Sequence, residues 1–404
     1  GKFYKYGGTI CGSWCGVYVN SGATMTVSGD AKITGNADCN VYLNGVITVG
    51  GKLSETAMIG VTTYGTAIAS GRYVTVAKGA NDSALTDDDK EHFESDMGYT
   101  PQIRNGKIVF VNGVLHEHPL CGATCAHAGD EKHTDDLLWE PLTYENGTLC
   151  RDGWRVGTTT GYSIVYYKLT AGNYYLPESI TIDKPIMIYG DVNLCLNGKT
   201  LSTNFAADNS KPFISVLWNH TLTLCDCDTE SKGTIKTKNN LRYGVQTYYS
   251  TKDGEKAGNF TMYGGTITGT QRGVLIGKLA YGEKSTFKMY GGKITGTQRG
   301  VYVNDGSIFE LYGGEISHNN TQPNLTENEE YFGGGVIVDI GAMFTMHGGT
   351  ISNNNAYSGG GVCLLGDSSS ATTTFNMEGG TITGNTTTNG SGGGVYLDTN
   401  SSFT

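Results

Sequence analysis

Two sets of residues in this sequence have types and spacings that could do chemistry. The first is the segment His116-Glu-His118-Pro-Leu-Cys121-Gly-Ala-Thr-Cys125-Ala-His127, with His133 six residues further on. Imidazole and thiolate are the ligands that tetrahedral zinc takes, and a short loop with no core of its own gains stability from a metal. A structural zinc held by residues among His116, His118, Cys121, Cys125, His127 and His133 is therefore one reading. The spacing Cys-x3-Cys-x-His lacks the second distant pair of a standard finger, and no Glu-flanked helical His pair accompanies it. A disulfide, local or distant, and solvent-exposed histidines in a linker are the other readings.

The second set is aromatic. Tyr263, Tyr290 and Tyr312 recur at one position of a repeated phrase and His347 follows them, while Tyr18, Tyr42, Tyr302 and Tyr396 mark a second recurring position. Columns of amphipathic rings with hydroxyl handles suit contact with sugars or with another surface. They equally suit plain stabilisation of a sheet face by aromatic neighbours.

An enzyme needs more than this. Hydrolysis of a glycosidic bond takes two carboxylates on one groove, whereas the acids here gather in runs such as Asp87–Asp89, Asp135–Asp136 and Glu327–Glu330. Arg272 and Arg299 hold equivalent repeat positions and could serve a polysaccharide lyase, or could be solvated charges at loop tops. A carbohydrate-active enzyme is thus the alternative to a non-enzymatic role, and no catalytic residue is assigned.

The elements that must position these residues are read from the repeat. The phrase Phe260-Thr-Met-Tyr-Gly-Gly-Thr-Ile-Thr-Gly opens again at Phe287, Phe309, Phe344 and Phe375, at spacings of 27, 22, 35 and 31 residues, with a further copy at Phe3. Its alternation of Phe260, Met262 and Ile267 with Thr261, Tyr263 and Thr266 has the period of a strand with one face on a core. The Gly-Gly pair allows a turn that a Cβ would block. A unit of this size cannot bury its own apolar face, so successive copies must stack as a solenoid. The third residue after each Ile is Ser13, Asn36, Thr270, Thr297, Asn319, Asn354 or Asn385, a column suited to side-chain hydrogen-bond ladders.

The fold class expected is all-β: a right-handed parallel β-helix in two blocks, with a small α/β lid and the Cys/His loop between them. Residues 1–75 form the first block, with coils opening at Phe3, Met25 and Ile47. Residues 76–115 form the lid, where Thr86-Asp-Asp-Asp89 reads as an N-capped helix start and Lys107–Val111 as a strand. Residues 116–140 are the Cys/His linker and 141–404 the second block. Among the cysteines, Cys11 with Cys15 and Cys225 with Cys227 are too close to bridge readily, which leaves cross-coil partners such as Cys195 with Cys225.

Composition agrees. The 404 residues include 61 Gly, 25 Tyr and 7 Pro with 16% charged residues, a strand-and-turn composition. A net charge of −10 argues against a nucleic-acid or anionic-membrane partner. No apolar run approaches a membrane span, so no membrane insertion is expected. Residues 1–25 lack the marks of a signal peptide, which places any secretion signal or wall anchor outside this sequence. Both termini cut a repeat at the same phase, which suits continuation into a longer chain or end-to-end association of copies.

The phrases Asn193-Leu-Cys-Leu-Asn-Gly198, Leu222-Thr-Leu-Cys-Asp-Cys227, Phe260-Thr-Met-Tyr-Gly-Gly-Thr-Ile267 and Gly392-Gly-Gly-Val-Tyr396 resemble the right-handed β-helix repeats of large secreted or wall-attached surface proteins of Gram-positive gut bacteria. Gly-Gly-x-Ile followed by Asn is similar, more weakly, to polymorphic adhesin passengers. The resemblance spans nearly the whole chain and carries over no catalytic residue. It implies an extracellular or wall-attached location and adhesive, stalk-like or structural work, with other parts of a longer chain, further copies and host or bacterial glycans as partners.

Overall fold

The computed structural model describes residues 1–64, 68, 73–112, 139–151, 154–161, 164–205, 211–228, 230, 232–237, 241–248, 256–277, 284–321, 332–367 and 371–404. They are nearly all β, and the chain divides into two compact units, Gly1–Glu117 and His118–Thr404.

From Asn259 on, the repeats build three parallel ladders, and Asn355–Ala356 with Thr386–Thr387 add a short fourth pair. The first ladder joins Asn259–Met262, Thr286–Met289, Ile308–Leu311, Met343–Met346, Thr373–Met377 and Ser401–Phe403, with Phe260, Phe287, Phe309, Phe344, Phe375 and Phe403 in register. The second carries the Ile row, Ile267, Ile294, Ile316, Ile351 and Ile382. The third carries Val274, Val301, Val336, Val362 and Val395. All three rows point into one core, apart from Phe403 in the last turn, which is exposed. This is a parallel β-solenoid.

Register explains the packing. Neighbouring parallel strands lie roughly 4.8 Å apart, so a residue repeated in every turn sits directly over its copy. The phenylalanine rings accordingly stack face to face at 4.7, 4.9, 4.8, 4.5 and 4.8 Å. The Gly-Gly corner is needed for this spacing. Gly292 has φ +85°, and a Cβ on Gly291 would stand 2.4 Å from the carbonyl oxygen of Tyr263 in the turn before.

At the next corner the polar column forms as a continuous ladder. Asn319 Nδ2 donates to Asn354 Oδ1 at 3.0 Å, and Asn354 Nδ2 donates to Asn385 Oδ1 at 2.9 Å. The same Nδ2 groups bond the carbonyls of Ile294 and Ile316. Thr297 joins at one end, its Oγ1 2.7 Å from Asn319 Oδ1. Asn319 and Asn354 are fully buried.

The first unit has two parallel stacks. One runs through Lys2–Lys5, Thr24–Gly29, Ile47–Leu53 and Tyr73–Gly79. The other contains Cys15–Val19, Cys39–Leu43 and Met58–Thr63, with Phe93–Ser95 pairing in parallel on the last. Thr86 caps a four-residue helix, Asp87–Lys90, in a capping box with Asp89. A hairpin of Thr100–Arg104 and Lys107–Val111 then pairs antiparallel with Tyr73–Gly79.

The second unit opens with antiparallel pairs added to its parallel ladder. Trp139–Glu145 and Thr148–Arg151 form an antiparallel hairpin, and Thr158–Gly161 pairs antiparallel with Ile164–Tyr175, while Trp139–Pro141 already pairs in parallel with Asn173–Tyr175. The hairpin turns are Asn105-Gly106 (φ +47° and +64°) and Asn146-Gly147 (φ +49° and +74°). Two consecutive residues with positive φ match the twist of an antiparallel pair and so favour a tight hairpin over a coil corner.

One buried position conflicts with its surroundings. Gln246 is fully buried, yet among the described residues neither amide atom finds a hydrogen-bond partner, and nor does the Oγ of Ser215, its register neighbour. The next turn places Leu275 there. Gln246→Leu removes two unsatisfied polar atoms and is expected to stabilise the fold by about 1–3 kcal/mol. A rise in the urea midpoint checks this, and a fall would show that the amide is engaged in solution.

Candidate functional site

The aromatic column is a single stack. Ring centroids of Tyr263, Tyr290, Tyr312 and His347 follow at 4.9, 4.7 and 4.3 Å, with planes within 14° of parallel. Each ring sits three residues after a core phenylalanine and just before or within the Gly-Gly corner, so it lies outside the core and is half-buried. Because the rings stack along the solenoid, their faces are covered by one another. What they present outward is a row of ring edges, tipped with hydroxyls at the three tyrosines.

Charged groups border the row. Lys288 pairs with Glu310 at 3.0 Å, and the Tyr312 hydroxyl donates to Glu310 at 3.2 Å. The Lys288 ammonium is held above its ordinary pKa by its hydrogen bond to Glu310, and burial pushes the Tyr312 phenol up. His347 Nδ1 donates to Glu378 Oε2 at 2.7 Å. Glu378 holds in the next turn the place that the rings hold in theirs.

Tyr302 and Tyr396 do not join this column, nor do they form one of their own. Their row runs Leu275, Tyr302, Ile337, Cys363, Tyr396, so buried Ile337 and Cys363 stand between them. The Tyr302 hydroxyl donates to Asp339 at 2.8 Å, the Arg272 guanidinium lies 4.6 Å over its ring, and burial pushes its phenol up. Tyr396 instead stacks on Phe332 at 5.9 Å. In the first unit Tyr18 and Tyr42 do stack, at 4.8 Å, with Tyr64 edge-on to Tyr42.

Arg272 and Arg299 stand in register, but not as solvated charges at loop tops. Arg299 is buried and its Nε donates to the carbonyl of Phe332, while Arg272 folds over Tyr243 and Tyr302.

His116, His118, Cys121, Cys125, His127 and His133 lie outside the described residues. Among the described residues, no group of three or more His, Cys, Asp or Glu is arranged to hold a metal ion.

The cysteines behave differently in the two units. Cys15 and Cys39, register partners in adjacent turns, form a disulfide. Cys195 and Cys225 are likewise register partners, but they are thiols, so the cross-coil pair expected from sequence is aligned and not bonded. Together with Cys227 they pack against Trp139, Tyr175 and Tyr263, and they continue the line of the aromatic column into earlier turns. Sequence reasoning aligned Cys195 with Cys225 but brought neither Cys227 nor the rings into the cluster.

The chain matches no protein-family model, no curated protein and no solved structure.

Proposed function

We propose that the chain is a segment of an extracellular, non-enzymatic surface protein, a right-handed parallel β-helix that works as a stalk or structural fibre. The observation that carries this reading is repetition. Phenylalanine, asparagine and tyrosine ladders run from turn to turn with the same contacts at each step. Such ladders resist separation of turns along the stack, which is the demand on a rod. The Cys15–Cys39 disulfide suits an oxidising compartment.

Contact with glycans is the second reading, favoured by the half-buried row of hydroxyl-tipped ring edges beside Lys288, Glu310 and Glu378. Sugars that stack on aromatic faces find those faces covered, so in our reading the column serves first as a spine.

Replacing Tyr263, Tyr290 and Tyr312 together by serine separates the readings. Each aromatic pair contributes about 0.5–1.5 kcal/mol beyond its buried area. The triple variant is expected to lose roughly 2–4 kcal/mol of stability while retention on a panel of immobilised polysaccharides stays at the parent level. Unchanged melting with loss of retention on one polysaccharide would replace the spine with a binding surface.

A further inference from the structure

We infer that Cys195, Cys225 and Cys227 form a thiol–disulfide exchange site that takes a small-molecule disulfide as oxidant. Cys195 ends the strand Ile186–Cys195, Cys225 ends Thr221–Cys225, and the two are in register in adjacent turns. That is the relation in which Cys15 and Cys39 are bonded. Both Cys195 and Cys225 are fully buried, whereas Cys227 is only half-buried. The Cys195 thiol is in hydrogen-bond contact with both other thiols, and the contact with Cys225 raises its pKa.

Asp226 fixes this arrangement. Its buried carboxylate accepts the backbone N–H of Gly198 at 2.7 Å and of Gly233 at 2.6 Å. It therefore ties the corner that carries Cys225 and Cys227 to the corner that follows Cys195. The Cys227 thiol is turned to the same corner, donating to Asn197 Oδ1 at 3.2 Å. A half-buried thiol beside a buried one, with a third in register behind, is the layout that lets a mixed disulfide be resolved internally.

The exchange balances as follows. The Cys227 thiol loses its proton to solvent and its sulfur attacks one sulfur of a small disulfide such as glutathione disulfide, expelling one small thiolate. Cys195 attacks Cys227 Sγ as its proton passes to the departing small thiolate, which leaves as the second thiol. Two protein thiols become one disulfide, and one small disulfide becomes two thiols. Attack of Cys225 on Cys195 then moves the bond to the register pair and returns Cys227 to a thiol.

The test treats the whole reduced chain, folded, with glutathione disulfide, followed by alkylation and peptide mapping over time. The expected result is a Cys195 linkage to Cys225 or Cys227, with formation slowed roughly tenfold or more in Cys227→Ser and absent in Cys195→Ser. All three thiols remaining alkylatable after Cys15–Cys39 has closed would overturn the inference, as would linkage of Cys195 to Cys11 or Cys150. Should Cys195→Ser fail to fold, native-state alkylation of the reduced wild-type chain decides. Cys227 must react ahead of Cys195 and Cys225, and the reverse order refutes the site.

Discussion

Asn354→Ala is expected to lower the stability of the second unit by about 3–6 kcal/mol, because one side chain satisfies several buried groups at once. Its Oδ1 accepts from both the backbone N–H and Nδ2 of Asn319, at 3.1 and 3.0 Å. Its Nδ2 donates to the carbonyl of Ile316 at 2.9 Å and to Asn385 Oδ1 at 2.9 Å. With no exposure at this position, water cannot replace what alanine removes, and each orphaned group keeps its desolvation cost. Asn354→Thr is expected to cost less, since Thr297 occupies the corresponding corner two turns earlier and bonds into the same ladder. Hydrogen exchange should show the loss first at Glu315–Ser317, Thr350–Ser352 and Thr381–Thr383, the rungs the ladder joins. A cost under about 1 kcal/mol would mean that the solenoid relaxes around the gap.

The ladder was legible because it is periodic. Anything repeated at one position per turn could be read from the sequence once the Phe-to-Phe interval was recognised, since parallel in-register stacking brings equal positions together. That covers the Phe row, the Asn and Thr corner and the Tyr263–Tyr290–Tyr312 column. What lay between repeats was not legible in this way. The Asn105-Gly106 and Asn146-Gly147 hairpins carry a strong local turn signal, but a reading set on parallel coils passes over two-residue connections that only antiparallel strands can use. Tyr302 and Tyr396 failed as a column for a related reason. They share a position in the repeat, yet Ile337 and Cys363 fill the turns between them, and side chains three turns apart do not meet. Buried Arg299 bonds the carbonyl of Phe332, which belongs to no copy of the phrase.

Phe309→Ala probes the other ladder, and its expected cost is about 3–5 kcal/mol. The ring is fully buried between Phe287 at 4.9 Å and Phe344 at 4.8 Å, and its neighbours are held in register by backbone ladders on both sides. Those ladders cannot shorten to fill the gap, because the strand spacing is set by the hydrogen bonds and not by the side chains. The cavity therefore persists, and the cost falls at the high end for a core truncation. Phe309→Leu should cost much less, about 1–2 kcal/mol, since Leu222 already occupies this column against Phe260. A double-mutant cycle between Phe287 and Phe309 isolates the stacking term, expected at about 0.5–1.5 kcal/mol. Coupling of that size means each ring is ordered by its neighbours in turn, so that loss of one weakens the turns on either side. Zero coupling would mean that the rings contribute only buried area, leaving the backbone and asparagine ladders to hold the turns together.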